Sequence, residues 1–268
     1  MIISVINQKG GVGKTTTAVN LAVGLAKRNC PTLLLDLDPQ GNATSGLGVL
    51  STPSPTLYEA LVAHAEGEAV DDGLGQRTSV RPATVNGPVA HLDVIGASSE
   101  LAGSEIDLAG NQRRDALKNT LDTLKKEYSF VIIDTPPSLS LLTVNALVAA
   151  DQLIIPVQCE YYALEGLGQL LRTLERIRRN VNPNLHVMGL LRTMYDRRLG
   201  LSSQVSNELQ THFPQLLFDT IIPRNVRLAE APSHGKPISL YDHRSPGAQA
   251  YVKLAAEVKR RARLQSPS

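Results

Sequence analysis

The stretch "IISVINQKGGVGKTTTAVN", residues 2 to 20, limits the possible folds more than any other. "IISVIN" is an apolar run rich in β-branched residues that ends at a glycine loop, so it reads as a buried strand. Beyond the loop, Ala18, Leu21, Ala22, Leu25 and Ala26 recur at helical spacing between Thr15 and Arg28. Strand, glycine loop and helix together form the setting in which backbone N–H groups and a helix N-terminus turn inward around phosphate oxygens. Gly10, Gly11, Val12 and Gly13 would make that cradle, Lys14 would hold the terminal phosphates of a nucleotide, and the Thr15 hydroxyl would ligate Mg2+. The match to G-x-x-x-x-G-K-[ST] is incomplete, because Gln8 stands where the first glycine belongs. A second lysine, Lys9, precedes the glycines, and a phosphate loop alone does not need it.

The same alternation continues along the chain. "TLLLDLD" (32 to 38), "FVIIDTPPS" (130 to 138), "QLIIPVQ" (152 to 158), "HVMGLLRTMY" (186 to 195) and "LLFDTIIP" (216 to 223) read as further strands, separated by helical patterns. The clearest helix covers 163 to 181. At 268 residues and 42% hydrophobic, the chain can bury one sizeable core. The expected fold is α/β: a single-domain P-loop NTPase with a mostly parallel, twisted β-sheet, helices on both faces, and ligands at the carboxyl ends of the strands. One domain is expected over 1 to 264, with a surface excursion at 64 to 91, where glycines, prolines and mixed charges interrupt the rhythm. Residues 265 to 268 are expected to form a flexible tail.

Two strand exits supply acids. Asp134 follows "FVII" where a carboxylate would hold the metal through its water shell. Asp36 and Asp38 leave the neighbouring strand in "DLDPQGN", near enough to a γ-phosphate to position an attacking water. Each aspartate alone also reads as a helix cap or turn former. Cys30 and Cys159 lie far apart and in no metal-ligand spacing, so they read as small buried hydrophobes. No apolar run reaches the roughly 18 residues of a membrane span, and "MIISVIN" does not read as a signal peptide, so a cytoplasmic protein is expected. Charge is unevenly spread: from Arg224 to Arg263 nine Lys or Arg face three acids, a net of +6, while the remaining 18 basic and 22 acidic residues leave −4. Such a distribution fits a face for a polyanion, or equally a solvated basic helix.

"KGGVGKTT", "DLDPQGN", "IIDTPPS", "PVQCEYYALEGL" and "IPRNVRLAEAPSHGKPI" together resemble the ParA/Soj chromosome-partitioning ATPases of the deviant Walker A group. The resemblance runs from about residue 1 to residue 258, interrupted mainly at 64 to 91. It implies an ATPase that forms a homodimer around two ATP molecules, with Lys9 reaching across to the phosphates held by the partner. It further implies that Asp38 orients the water, that Asp134 lies in the outer shell of Mg2+, and that Thr15 and Thr16 complete the phosphate and metal contacts. Asn225 matches a position that hydrogen-bonds adenine, with Pro223 packing beside the base; without the resemblance, Asn225 would read as a turn residue.

Family members of this kind bind double-stranded DNA without sequence preference once ATP has paired them, which implies a nucleoid-associated protein. Arg198 and Arg227 align with family arginines implicated in that contact, whereas Arg224, Lys259, Arg260, Arg261 and Arg263 are candidates on charge. Arg197 stands where the family usually has a small residue and reads as an added phosphate contact or a solvated residue, the second being preferred. The resemblance also implies a ParB/Spo0J-type partner that stimulates slow hydrolysis. The chain starts one residue before its first strand, so no N-terminal helix-turn-helix domain is expected and chromosomal segregation is favoured over plasmid copy control.

Two rivals share the nucleotide site. A MinD-like membrane ATPase needs a terminal amphipathic helix with bulky apolar residues, and "YVKLAAEVKRRARLQ" offers Val252, Leu254, Val258 and Leu264 without Phe, Trp or Ile, so no membrane partner is expected. A P-loop small-molecule ligase or synthetase would show turnover that depends on a metabolite and ignores DNA.

Overall fold

Among the described residues nine strands form: β1 Ile2–Val5, β2 Thr32–Asp36, β3 Val70–Asp71, β4 Arg77–Thr78, β5 Val85–Asn86, β6 Leu92–Ile95, β7 Phe130–Asp134, β8 Gln152–Gln158 and β9 His186–Thr193. This computed structural model describes residues 1–66, 70–71, 77–78, 81–104, 107, 114–160 and 163–265. Parts of the 64–91 stretch and residues 266–268 of the expected tail lie outside the described residues. Seven strands pair in the order β5-β6-β2-β7-β1-β8-β9, and β3 pairs with β4 apart from them. Every pairing in the large sheet is parallel except β5 with β6.

The period-2 alternation of strand side chains divides the apolar residues between two cores. In β7, Val131 and Ile133 enter one core, and Phe130 and Ile132 the other; in β2, Leu33 and Leu35 oppose Leu34 in the same way. Helices Lys14–Ala26 and Pro246–Gln265 cover one face, through Leu21, Leu25, Tyr251 and Leu254 among others. Helices Leu57–Glu66, Ala116–Asp122, Leu141–Ala149 and Ala163–Asn180 cover the other. A fully buried Leu or Ile contributes about 1.5–3 kcal/mol, so the central strands make a rigid base for the loops above them. Register then sets the site: Val5 of β1 pairs with Asp134 of β7, which pairs in turn with Asp36 of β2. Two carboxylates therefore leave adjacent strands side by side.

Two sequence expectations differ from the structure. The run 216 to 223 makes no continuous strand, only isolated bridges at Leu217 and Pro223. The reason is that the Asp219 and Thr220 amides donate to the Glu257 carboxylate of the last helix, at 2.9 and 3.0 Å, so they are lost to a ladder. Conversely, β6 extends the sheet beyond β2 although the sequence reading passed over it. Its four residues adjoin the irregular stretch and carry Asp93 in their middle, so the apolar run is too short to register.

Candidate nucleotide site and basic surface

The glycine loop lies between β1 and helix Lys14–Ala26. Gly11 (φ 73°) and Gly13 (φ 89°) adopt left-handed backbone, which costs a side-chain-bearing residue roughly 1–2 kcal/mol, so glycine is the residue that fits both turns. Val12 is buried, and its carbonyl accepts the Thr193 hydroxyl at 2.9 Å, which pins the loop to the end of β9. Gly10, Gly11, Gly13, Lys14, Thr15 and Thr16 line a cavity of about 410 Å3 together with Asp38. Lys14 is buried there and its ammonium donates to the Lys9 carbonyl at 3.2 Å. Burial lowers its pKa, while Asp134 and Asp38 oppose that shift and favour the cation.

Lys9 is placed quite differently. Its ammonium lies 3.0 Å from Glu160 on the rim, and both side chains are about half exposed (46% and 50%). Glu160 also accepts from the Gln158 amide. An exposed pair of this kind contributes about 0–1 kcal/mol, too little to keep Lys9 from a phosphate.

The acids at the strand exits have separate surroundings. Asp38 lines the cavity, held by the Gln40 amide donating to Oδ1 at 3.0 Å. Asp134 is fully buried and neither carboxyl oxygen has a hydrogen-bond partner. The Thr15 hydroxyl stands near enough to lower its pKa a little without reaching hydrogen-bonding geometry. Burial, and next the charge of Asp36, push Asp134 well above the ordinary carboxylate range. Burial likewise raises Asp36 to about 6. Unpaired buried acceptors beside a phosphate cradle fit a hydrated Mg2+, a hard cation that takes one carboxylate and keeps several waters. Among the described residues no cluster of three or more His, Cys, Asp or Glu is placed to hold a metal by itself.

An unpaired buried carboxylate is a cost to the nucleotide-free fold, and its sign is testable. A carboxyl with a raised folded pKa contributes least to stability above that pKa, and its penalty disappears below the unfolded value near 3.8. Asp134→Asn is therefore expected to raise the nucleotide-free Tm at pH 7 by roughly 2–4 °C or more, with the gain fading towards pH 4. Thermal melts across that range check it; an unchanged or lower Tm at pH 7 would contradict the electrostatic account.

A second cavity of about 480 Å3 adjoins the first, sharing Gly13, Thr16, Met194 and Leu228. It is mostly apolar, with Ile222, Pro223 and Tyr251 in its wall. The segment that builds it is hung from β9: the Tyr195 amide donates to Ile222 O at 3.1 Å and the Arg224 amide to Tyr195 O at 3.0 Å. Asn225 Oδ1 is buried without a partner, an acceptor suited to an exocyclic amine such as that of adenine. The glycine loop, the apolar slot and the orphan acceptor thus line two adjoining cavities whose chemistry suits an adenine nucleotide.

The AAA domain family model matches residues 1–187. The chromosome partitioning protein ParA of Caulobacter vibrioides is 48% identical over 266 residues, covering 98% of this chain and 95% of that protein. The sporulation initiation inhibitor protein Soj of Bacillus subtilis is 51% identical over 259 residues, covering 96% and 97%. The chain belongs to the ParA/Soj family. Among solved structures, the cobyrinic acid a,c-diamide synthase of Mycobacterium smegmatis, crystallised with ADP and magnesium, matches with a TM-score of 0.76 at 32% identity over 98% of this chain and 95% of that one. The ParA/Soj relatives share far more sequence over the same length, among them the chromosome-partitioning ATPase Soj of Thermus thermophilus, 48% identical over 97% of this chain and 95% of that protein, and this chain is a chromosome-partitioning ATPase.

On this ParA/Soj chain the basic residues do not form one patch. Arg198 and Arg224 line an open basin of about 620 Å3 with Arg197 and Lys253, four cations against Asp196 and Asp219. Arg198 is 86% exposed and grips Asp196 through Nε at 2.9 Å and a terminal nitrogen at 2.6 Å, which pulls Asp196 down to about 2. Arg260 reaches Asp219 at the basin edge, 3.2 Å away. Arg227 lies outside the basin, 2.8 Å from Glu230 and 3.8 Å from Asp242. Lys259 is half-buried and donates to the Arg28 carbonyl at 3.2 Å. Arg261, a candidate on charge, is an internal strut: it donates to Met188 O and Leu217 O, stacks 4.3 Å over Phe218 and pairs with Glu257 at 2.9 Å. Net charge along a segment cannot separate a strut from a surface cation.

Sequence reasoning passed over Lys236 and Pro237, which line the phosphate cavity, although they lie in the quoted "HGKPI". It also passed over Glu160 as the neighbour of Lys9, inside "PVQCEYYALEGL". Cys30 and Cys159 are free and buried.

Proposed function

We propose that this chain drives ATP-dependent DNA segregation as a homodimer closed around two ATP molecules, in the cytoplasm and in association with the nucleoid. Lys14, Thr15, Thr16 and the glycine loop hold the phosphates of ATP, Pro223 packs beside the base, and Asn225 accepts from the adenine amine. Thr15, and Asp134 through water, would hold Mg2+, which supplies charge neutralisation at the phosphates. Asp38 orients the attacking water. Lys9 crosses to the partner's phosphates and neutralises negative charge there as it builds up.

The observation that carries this reading is the division between the two lysines. Lys14 already serves the chain's own cavity, while Lys9 waits on the rim in a weak ion pair, free to serve another subunit's nucleotide. Dimerisation would then bring two basic basins together, doubling the phosphate contacts and raising affinity for double-stranded DNA steeply. Contacts to phosphates carry no base information, so binding is non-specific. A ParB/Spo0J-type partner stimulates hydrolysis and so releases the dimer from DNA.

The last helix argues against a membrane anchor. Tyr251, Leu254 and Val258 pack into the core, which leaves Val252 and Leu264 as its exposed large apolar residues, and no helix among the described residues is long and apolar enough to cross a membrane. Arg198→Glu with Arg224→Glu is expected to weaken DNA binding at least about tenfold at low salt and to lower the slope of log affinity against log salt by about two. A titration at several salt concentrations tests this, and an unchanged slope would remove the basin from the DNA interface.

A further inference from the structure

We infer that Asp36 is a positioning residue for ATP hydrolysis, clamping both ends of the loop that carries Asp38 while touching neither water nor nucleotide. The inference rests on the reading that Asp38 orients the attacking water.

Asp36 is wholly buried and absent from the walls of both nucleotide cavities. Its oxygens are committed elsewhere. Oδ1 accepts the Asp38 amide at 3.2 Å, and Oδ2 accepts the Thr44 amide at 2.8 Å and the Thr44 hydroxyl at 2.7 Å. The sequence reading grouped Asp36 with Asp38 at the γ-phosphate; the structure separates them, with one acid in the cavity and the other beneath it. Because three donors converge on two oxygens, only an acceptor-only group satisfies all of them. An amide of the same shape would turn an N–H towards one of those donors.

The clamp extends one step further. The Thr44 hydroxyl also accepts the Ala97 amide at 2.9 Å, tying the loop to the exit of β6. Gly96 closes the space behind it: a Cβ there would meet Thr44 Cγ2 at 2.8 Å and Thr52 Cγ2 at 2.6 Å, closer than carbon atoms pack. The start of the Asp38 loop, its end at Thr44 and a third strand exit therefore meet at one carboxylate. Moving a water-orienting group by about 1 Å costs on the order of 10²-fold in rate, which is the scale of effect such a clamp controls.

The test compares full-length variants by single-turnover ATP hydrolysis and nucleotide affinity. Asp36→Asn is expected to lower hydrolysis at saturating ATP by about 10²-fold with the ATP Kd changed less than about threefold. Thr44→Val is expected to lower it in the same direction and Thr44→Ser to restore most of the loss. Asp36→Asn with Thr44→Val should be little worse than the worse single change, because the two residues form one network. This split, and rescue by serine, are what a merely stabilising role would not produce; such a role lowers Tm and scales turnover with the folded fraction. If Asp36→Asn does not fold, the two Thr44 variants decide alone. Turnover within about threefold of the unaltered chain for Asp36→Asn, or equal turnover for Thr44→Val and Thr44→Ser, overturns the inference. An Asp38→Ala variant of normal turnover would instead overturn the reading beneath it.

Discussion

Asp38→Ala is expected to lower ATP turnover by about 10²- to 10⁴-fold while leaving ATP affinity within about threefold. Asp38 contributes to the cavity wall, but in the proposed site the groups that hold phosphate are those of the glycine loop, Lys14, Thr15 and Thr16, which line the same cavity. Its carboxylate accepts the Gln40 amide and is otherwise open to the cavity, so its removal deletes no internal support beyond one turn. Alanine also relieves a buried negative charge near the phosphates, which favours ATP if anything. Binding by a fluorescent ATP analogue, beside single-turnover hydrolysis, separates the two effects. A variant that loses nucleotide binding would show that Asp38 supports the cavity and does not act in the chemistry.

Lys9→Ala is expected to abolish the ATP-dependent dimer and to lower turnover by about 10³- to 10⁵-fold, the scale of a charge supplied in trans. Monomeric ATP binding should persist for a specific reason. The groups Lys9 gives to its own loop are backbone groups: its carbonyl accepts the Lys14 ammonium at 3.2 Å, and its amide donates to Asn7 Oδ1 at 3.0 Å. Alanine keeps both. What it removes is the side chain that now pairs with Glu160, a pair too exposed to support the fold. Sedimentation with ATP and with ADP, together with nucleotide affinity, reads the outcome. A Lys9→Ala dimer that still forms with ATP would contradict the trans role.

What could be read in the sequence was local. The phosphate loop announces itself because strand, glycines, lysine, threonine and helix are contiguous, and β8 falls on "QLIIPVQ" because it is buried on both faces and apolar at nearly every position. The acids could be placed at strand exits for the same reason. Their division of labour could not, because it depends on how the loop after β2 folds back over Asp36 and on what surrounds each carboxylate in three dimensions. Asp36 is held by Thr44, neither Asp134 oxygen has a hydrogen-bond partner, and the Thr44 hydroxyl accepts from Ala97, 53 residues on. The failed strand at 216 to 223 is another tertiary effect, since Glu257 captures its amides from a helix 37 residues later. Arg261 and Arg198 look alike in sequence, and only packing shows one stacked on Phe218 and the other on the surface.

The central claim is that ATP, by pairing two chains, switches DNA binding on. The most direct measurement is binding of duplex DNA of arbitrary sequence to the full chain with ATP, with ADP and without nucleotide, at two salt concentrations, beside Lys14→Ala and Lys9→Ala. The account predicts tight, salt-sensitive binding with ATP alone and little binding by either variant, Lys14→Ala failing to hold ATP and Lys9→Ala holding it without pairing. DNA binding equal in all three nucleotide conditions, or unimpaired in Lys9→Ala, would contradict it.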